Sequence, residues 1–394
     1  MTSDSSGRLP ALWHGEGAAR QMTRRLTMGR ETLVIADSAV GLSFLDGQPS
    51  KTITVDAPSV NVTAVVMIAR EIVRLSPNVI VAVGGGTVLD ASKIAALALL
   101  PGRVFDYAIE HASRSALTFL PRSRPPVDIV AVPTTIGTSS ETNSVGILKN
   151  ESGYRLIVGL SLTPRHAIID PCNLTTLTRA AVSEGALEAF LRLAGASTSS
   201  RRSASQRRDA VSLGRLLLEA VARDSGSPAG RLRLARLSAA TQRSAALRGQ
   251  DPYSARHWYV ANEVAFLLQV RKMVATAAVI AAVWRRICAG DVRWGDRESL
   301  EGFWTQVAGG MALPLDPPLG IAALIERWGI QRPPRPTGDD IDRISVTTEK
   351  TWGNRHPMLP GLVAEDFRDV LRDSCWSSES VGCDRRPPVF VSRR

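Results

Sequence analysis

Rings and soft ligands are scarce in this chain. Aromatic residues make up 5% of its 394 positions, with five histidines and four cysteines. So few aromatics give no stacking platform for a nucleic acid, and none is expected as a partner. Cys172, Cys288, Cys375 and Cys383 show no close metal-type pairing, and they read as free thiols in a reducing cytoplasm. Asp4 and Glu16 stand near the N-terminus with no apolar core between them, so no secretory signal is expected. The longest uncharged apolar stretch, residues 273–284, is shorter than the roughly 20 residues a membrane span needs. No internal repeat is present. The expectation is a soluble cytoplasmic protein without a membrane partner.

Enough chain remains for two sizeable domains, with 44% hydrophobic and 22% charged residues. The net charge of +11 comes from arginine more than lysine, and it favours an anionic partner such as an acidic peptide. An arginine excess is also what a GC-rich genome writes into solvated faces. The basic run at residues 199–208 reads as an exposed loop or helix entry.

Strand-like and helix-like segments alternate through the first half. Short apolar strands are expected at residues 32–36, 52–55, 79–83, 128–132, 144–149, 155–158 and 167–169. Helical spacing covers residues 62–75 and 89–100, and the polar, proline-rich residues 112–127 read as a loop on the rim. This alternation predicts a parallel α/β domain. From about Leu177 onward only helical periodicity is found, in nine segments between residues 179 and 373. The expected division is therefore an α/β domain at 1–178, an all-helical domain at 179–376 and a disordered tail at 377–394.

Two motifs carry chemistry. In residues 79–93 a β-branched run ends at Val83, Gly84, Gly85 and Gly86 follow, and a helix is expected from Leu89. A strand buried on both faces needs such a run. The glycines let backbone N–H groups approach a phosphate, and the helix dipole adds positive charge at the same point. A phosphate-bearing cofactor is expected here. The second motif, Pro133-Thr134-Thr135-Ile136-Gly137-Thr138-Ser139-Ser140-Glu141, follows another strand. Hydroxyls at a parallel strand's carboxyl end are placed to meet a carboxamide or ribose.

With Asp37 and the later Ile168-Ile169-Asp170-Pro171, these motifs resemble the iron-containing (group III) alcohol dehydrogenase family, which has a dehydroquinate synthase-like fold. The resemblance runs from Gly15-Glu16-Gly17-Ala18 to Asn354-Arg355-His356-Pro357. It implies an α/β dinucleotide-binding domain with an all-α domain behind it, NAD as cofactor, and a homodimer through the N-terminal sheet edge. Asp37 would meet the adenosine ribose and favour NAD over NADP. Gly84, Gly85, Gly86 and Thr87 would cradle the pyrophosphate, with Asp90 opening the next helix. Thr134, Thr135 and Thr138 would line the ribose side, and Arg155 would stand where the family has a lysine.

The family's metal site fares differently. Its Asp and His, one helical turn apart, fall on Gly185 and Ala189, and its two later histidines fall on Trp258 and Lys272. A register shift brings Glu188 to the carboxylate ligand of the dehydroquinate-synthase branch, still without histidine partners. Glycine, alanine and tryptophan do not ligate, and an ammonium repels a cation, so no metal is expected. The family's proton-transfer histidine becomes Asn262. Lys272 is then the leading catalytic candidate, as general base or oxyanion partner, helped by Asn262, Tyr259 and His257. The alternative is that Lys272 merely pairs with Glu188 or Glu263.

The resulting expectation is a metal-independent NAD-dependent oxidoreductase acting on a secondary alcohol or ketone in specialised biosynthesis. Members of this family resembling it occur in daptide-type pathways, where one oxidises the C-terminal threonine of a ribosomal peptide and CO2 is then lost. A second reading is a catalytically inactive cofactor-binding partner subunit of a biosynthetic complex.

Overall fold

The computed structural model describes residues 9–47, 51–248 and 251–377. Beyond Ser377 the expected tail, with Cys383, lies outside the described residues; Cys172, Cys288 and Cys375 are free thiols.

The N-terminal part opens with β1 (Ala11–His14), α1 (Ala18–Thr27), β2 (Thr32–Asp37) and β3 (Lys51–Val55). α2 (Val62–Leu75), β4 (Val79–Gly84), α3 (Gly86–Ala96) and α4 (Val104–Arg114) follow. β5 (Leu117–Phe119), β6 (Asp128–Pro133), β7 (Val145–Asn150), β8 (Gly153–Val158) and β9 (His166–Ile169) complete the strands. Six strands make an all-parallel sheet in the order β1-β9-β6-β4-β2-β3. Every residue of β4 is buried, as a valine- and isoleucine-rich strand covered on both faces requires. The chain runs from β2 outward to β3 and returns to β4 on the other side of β2. The carboxyl ends of β2 and β4 therefore flank the point where strand order reverses, the place where open α/β sheets take ligands.

Two expectations are corrected here. The stretch 112–127 is not all loop, because it holds the end of α4 and the strand β5. Its polar character hides a three-residue strand that pairs with only one neighbour, β8. β7 and β8 do not join the main sheet: they form an antiparallel hairpin in a separate three-stranded sheet, β5-β8-β7. The four-residue β1 is too short to show a pattern, and the buried face of α1, Ala18, Ala19, Met22 and Thr23, is made mostly of small or polar residues that read weakly as core.

The helical part comprises α5 (Arg179–Ala196), α6 (Ala204–Arg223), α7 (Pro228–Arg243), α8 (His257–Leu267) and α9 (Lys272–Cys288). α10 (Arg297–Ala308), α11 (Pro317–Arg327), α12 (Gly338–Trp352) and α13 (Ala364–Arg372) follow. Thr178 caps α5 by accepting from Ala181 N at 3.2 Å, and Ser203 with Gln206 forms a capping box on α6. The apolar run of α9 is the central post of this part, with Met273 to Trp284 buried. Trp284 packs edge-on against Trp304, ring centroids 5.5 Å apart.

Candidate functional site

α3 begins at Gly86, three residues earlier than expected, so the glycine run is the strand-to-helix junction: Gly84 ends β4, Gly85 caps and Gly86 opens the helix. Gly85 caps it without a side chain, and Thr87 is exposed. Val88 N and Leu89 N both donate to Gly85 O at 3.1 Å, which leaves the N–H groups of the glycine turn before them to face the open carboxyl edge of the sheet. Asp37 ends the neighbouring strand one position past Ala36, which pairs with Val83, so it stands at the level of Gly84 at the carboxyl edge of the sheet. Its Oδ1 accepts from Ala39 N at 3.1 Å and the side chain is partly exposed.

The loop after β6 forms a shelf against this turn. Thr134 N donates to Gly84 O at 3.0 Å. A Cβ at Gly85 would lie 3.1 Å from Thr135 Cγ2, and one at Gly86 2.8 Å from Thr138 Cγ2. Only glycine lets the shelf approach. Thr135 Oγ1 is buried without a hydrogen-bond partner, a donor left over beside the helix terminus. These residues fit a pyrophosphate and its ribose.

Two residues expected here have other tasks. Asp90 does not open the helix; it is 6% exposed, in the body of α3. Its Oδ1 accepts from Ser140 Oγ, its Oδ2 accepts from Ile147 N at 3.1 Å, and Lys93 Nζ stands 3.0 Å away. Lys93, wholly buried, also donates to Ser140 Oγ at 2.8 Å and Asn143 Oδ1 at 2.9 Å. The pair bolts the 139–145 segment onto α3. Arg155 on β8 points to the helical side: its guanidinium donates to the Tyr154 and Ser152 carbonyls, and its electrostatic partner is Glu263 on α8.

The positions matching the family's metal ligands do not fit a metal. A Cβ at Gly185 would overlap the Ile136 carbonyl oxygen, and Gly137, with φ +110°, packs its backbone face to face with Gly185. The loop backbone occupies the room a ligating side chain would need. Arg192, two turns further along α5, holds that loop in place. It donates to the Gly137 and Thr138 carbonyls, to Ser139 Oγ at 3.2 Å and to Thr241 Oγ1 on α7 at 2.7 Å. Trp258 and Lys272 occupy the remaining two positions, and Lys272 Nζ lies 5.0 Å from the Trp258 ring centroid as a cation–π pair. Among the described residues, no group of three or more His, Cys, Asp or Glu is placed to hold a metal ion.

Lys272 opens α9 half-buried. Burial lowers its pKa, Glu188 and Asp90 oppose that shift, and Arg192 adds to it. Glu188 is raised by burial, against the pull of Arg192 and Lys272; its Oε2 lies 3.0 Å from the point where a Gly137 Cβ would be. His257 is buried with Nε2 unpartnered, and its pKa falls to about 3 through burial and the Lys272 charge, so the imidazole is neutral near neutral pH. Asn262 sits one helical turn after Trp258 on α8, 3% exposed, with Oδ1 unpartnered. Tyr259 is separated from this group. It stacks on Trp352 at 5.1 Å, and its phenol, raised by burial, is coupled to Tyr253, Asp251 and Arg256 instead. A residue next to Trp258 in sequence points about 100° away around the helix.

Arg192 and Glu141 escaped the sequence reading. Arg192 sits one turn after Glu188, a spacing that offered a clue. Glu141 ends the quoted threonine motif and is 4% exposed; burial pushes its carboxyl from 4.5 up to about 7 against the pull of Arg192 and Lys93. The folded state thus favours the protonated form. That contribution to stability is complete below pH 4.5 and is lost as pH rises through about 7. Glu141→Gln is expected to flatten this decline, on the order of 3 kcal/mol at most, in urea denaturation across that range. An unchanged slope would assign the titration elsewhere.

A surface cavity of about 820 Å³ lies at the opposite end of the sheet, lined by Arg24, Arg30, Thr32, Lys51 and Pro77, where β2 and β4 begin. Parallel sheets present their helix N-termini at the other edge, so this cavity is not the site.

Comparison with known proteins agrees with this geometry. The model of the iron-containing alcohol dehydrogenase family matches residues 10–171. Phosphonoacetaldehyde reductase of Streptomyces viridochromogenes is 34% identical over 189 residues, which are 47% of this chain and 48% of the relative. The match thus spans about half the length of that relative. NADH-dependent butanol dehydrogenase A from Thermotoga maritima superposes with a TM-score of 0.75 over 92% of this chain and 96% of its own, at 16% identity. Alcohol dehydrogenase from Oenococcus oeni gives 0.76 over 93% and 99%, at 15% identity. Residues 10–171 are thus similar to the iron-containing alcohol dehydrogenases, and the chain as a whole shares the fold of these solved dehydrogenases.

Proposed function

We propose that the protein is an NAD-dependent oxidoreductase that interconverts a secondary alcohol and a ketone, with Lys272 in place of a metal ion. The observation that carries this reading is one run of neighbours. It leads from the open first turn of α3, through Thr138 and Gly137, to Glu188 and the Lys272 ammonium, with the unpartnered His257 Nε2 and Asn262 Oδ1 on the neighbouring helix. A bound nicotinamide dinucleotide supplies the hydride exchange. The α3 terminus binds its pyrophosphate, Asp37 its ribose hydroxyls, and Thr135 a polar group beside Gly85. In the reducing direction the Lys272 ammonium donates to the carbonyl oxygen and gives it a proton. In the oxidising direction the neutral amine takes that proton back. Trp258 under the ammonium and neutral His257 beside it exclude water from that proton.

NAD titration with metal analysis of the purified protein tests this reading. Binding of NAD without stoichiometric zinc or iron is expected. Stoichiometric metal that resists chelation, or absence of dinucleotide affinity, overturns it. Gly86→Val places a branched side chain against Thr138 and is expected to weaken NAD binding at least about tenfold by calorimetry, or roughly 1.4 kcal/mol. Wild-type affinity in that variant would remove α3 from the cofactor site.

The more specific reading, oxidation and decarboxylation of a peptide's C-terminal threonine, is supported by the positive balance of the chain. It is checked by mass spectrometry of such a peptide, as loss of two hydrogens and CO2. NAD affinity without turnover of any alcohol or ketone, in a complex with a second enzyme, favours the inactive partner subunit.

A further inference from the structure

The positive charge of this protein is local. Residues 197–248 carry eleven arginines against Asp209, Glu219 and Asp224, and so hold eight of the eleven excess charges of the chain. Residues 251–377, by contrast, carry fifteen Lys and Arg against sixteen Asp and Glu. A compositional drift toward arginine would not concentrate in one stretch. Elsewhere on the surface arginines sit beside carboxylates, as Arg103 with Asp106, Arg114 with Glu110 and Arg368 with Asp342. Among the described residues, none of the eleven arginines of 197–248 forms an ion pair.

Eight of these arginines lie on the hairpin of α6 and α7, and Arg201, Arg202 and Arg248 flank it. Its inner side is spent on the fold: Arg202 donates to Ser197 Oγ and the Gln206 carbonyl, and Thr241 and Ser238 hold Arg192 and Ser139. Its outer side carries two helical stripes, Arg208, Arg215 and Arg223 on α6 and Arg233, Arg236 and Arg243 on α7. All but Arg243 are exposed, and Leu216, 48% exposed, lies beside Arg215. Arg236 acts electrostatically on His14 at the carboxyl end of β1, so the α7 stripe reaches the rim of the sheet on which the site opens.

We propose that the outer face of the α6–α7 hairpin is a docking surface for an acidic segment of a partner protein. Guanidinium forks bind carboxylates in pairs, and arginine is enriched where proteins meet. The exposed leucine needs an apolar counterpart, which a polypeptide supplies. A nucleic acid fits less well. Residues 197–248 contain no Phe, Tyr, Trp, His or Lys, so there is nothing for bases to stack on, and Glu219 lies within the α6 stripe facing any phosphate.

Fluorescence anisotropy with labelled poly-L-glutamate tests the proposal on the full chain. A variant carrying Arg208→Gln, Arg215→Gln, Arg233→Gln and Arg236→Gln is compared with one of equal net charge carrying Arg103→Gln, Arg114→Gln, Arg343→Gln and Arg372→Gln. The hairpin variant is expected to lose roughly tenfold in affinity and the control less than about twofold. Equal losses, or no binding by the wild type, overturn the proposal. So does tighter hairpin-dependent binding of duplex DNA or phosphatidylserine vesicles. Arg236→Gln alone, with circular dichroism of each variant, separates lost docking from lost folding. The measurement needs no turnover, so it stands apart from any oxidoreductase assay.

Discussion

Lys272→Ala is expected to lower kcat by roughly 10²–10⁴-fold, the range a positioned proton donor or acceptor contributes. The dissociation constant for NAD is expected to stay within about twofold, because the α3 terminus and the threonine shelf do not touch Lys272. Lys272→Arg keeps a cation over Trp258 but gives up no proton near neutral pH. It should therefore restore only the part of the rate that comes from holding the oxygen's developing charge, and the same part in both directions at a given pH. In the wild type, oxidation should rise with pH through a Lys272 pKa that burial holds below the ordinary 10.5. Unchanged turnover in the alanine variant, measured by absorbance of the reduced cofactor, would end the catalytic assignment of Lys272.

The second large effect comes from trying to rebuild the ancestral-type site. Gly185→Asp puts a side chain into the Ile136 carbonyl and a carboxylate into a space already closed by Gly137. Overpacking and an unpaired buried charge should together cost about 3–5 kcal/mol in urea denaturation. No zinc or iron binding should be gained, because Ala189, Trp258 and Lys272 still provide no ligands. Gly185→Ala separates the two causes: it keeps the overlap without the charge, and only about 1 kcal/mol of helix propensity offsets it. A Gly185→Asp variant that folds at wild-type stability and takes up metal would overturn the closed-site description.

Much of this was legible in the sequence, for identifiable reasons. Strands such as β4 and β6 are buried on both faces and announce themselves as unbroken β-branched runs. Among the described residues nine α-helices follow residue 178, as many as the helical segments read from the sequence. β5 was missed because three residues carry no pattern. The start of α3 is not legible because glycine reads as a loop, whereas here Gly85 caps the helix and Gly86 opens it. Asp90 and Arg155 show a different limit. Their residue types matched a cofactor role, but side-chain direction decides contact, and sequence does not state it. Nor does composition reveal that Gly185 and Gly137 press together; two glycines far apart in the chain give no sign of touching. Arg192 follows from the same cause, since its partners on the 137–139 loop and α7 are all distant in sequence.

Seven of the eight tryptophans, all except Trp13, fall after residue 257, and Trp284, Trp294, Trp304 and Trp352 are wholly buried there. Intrinsic ultraviolet emission from this molecule is therefore a report on one lobe. Melting curves followed by that light describe the helices and leave the sheet nearly dark, so the two lobes can be watched separately by pairing emission with a probe attached beside β3.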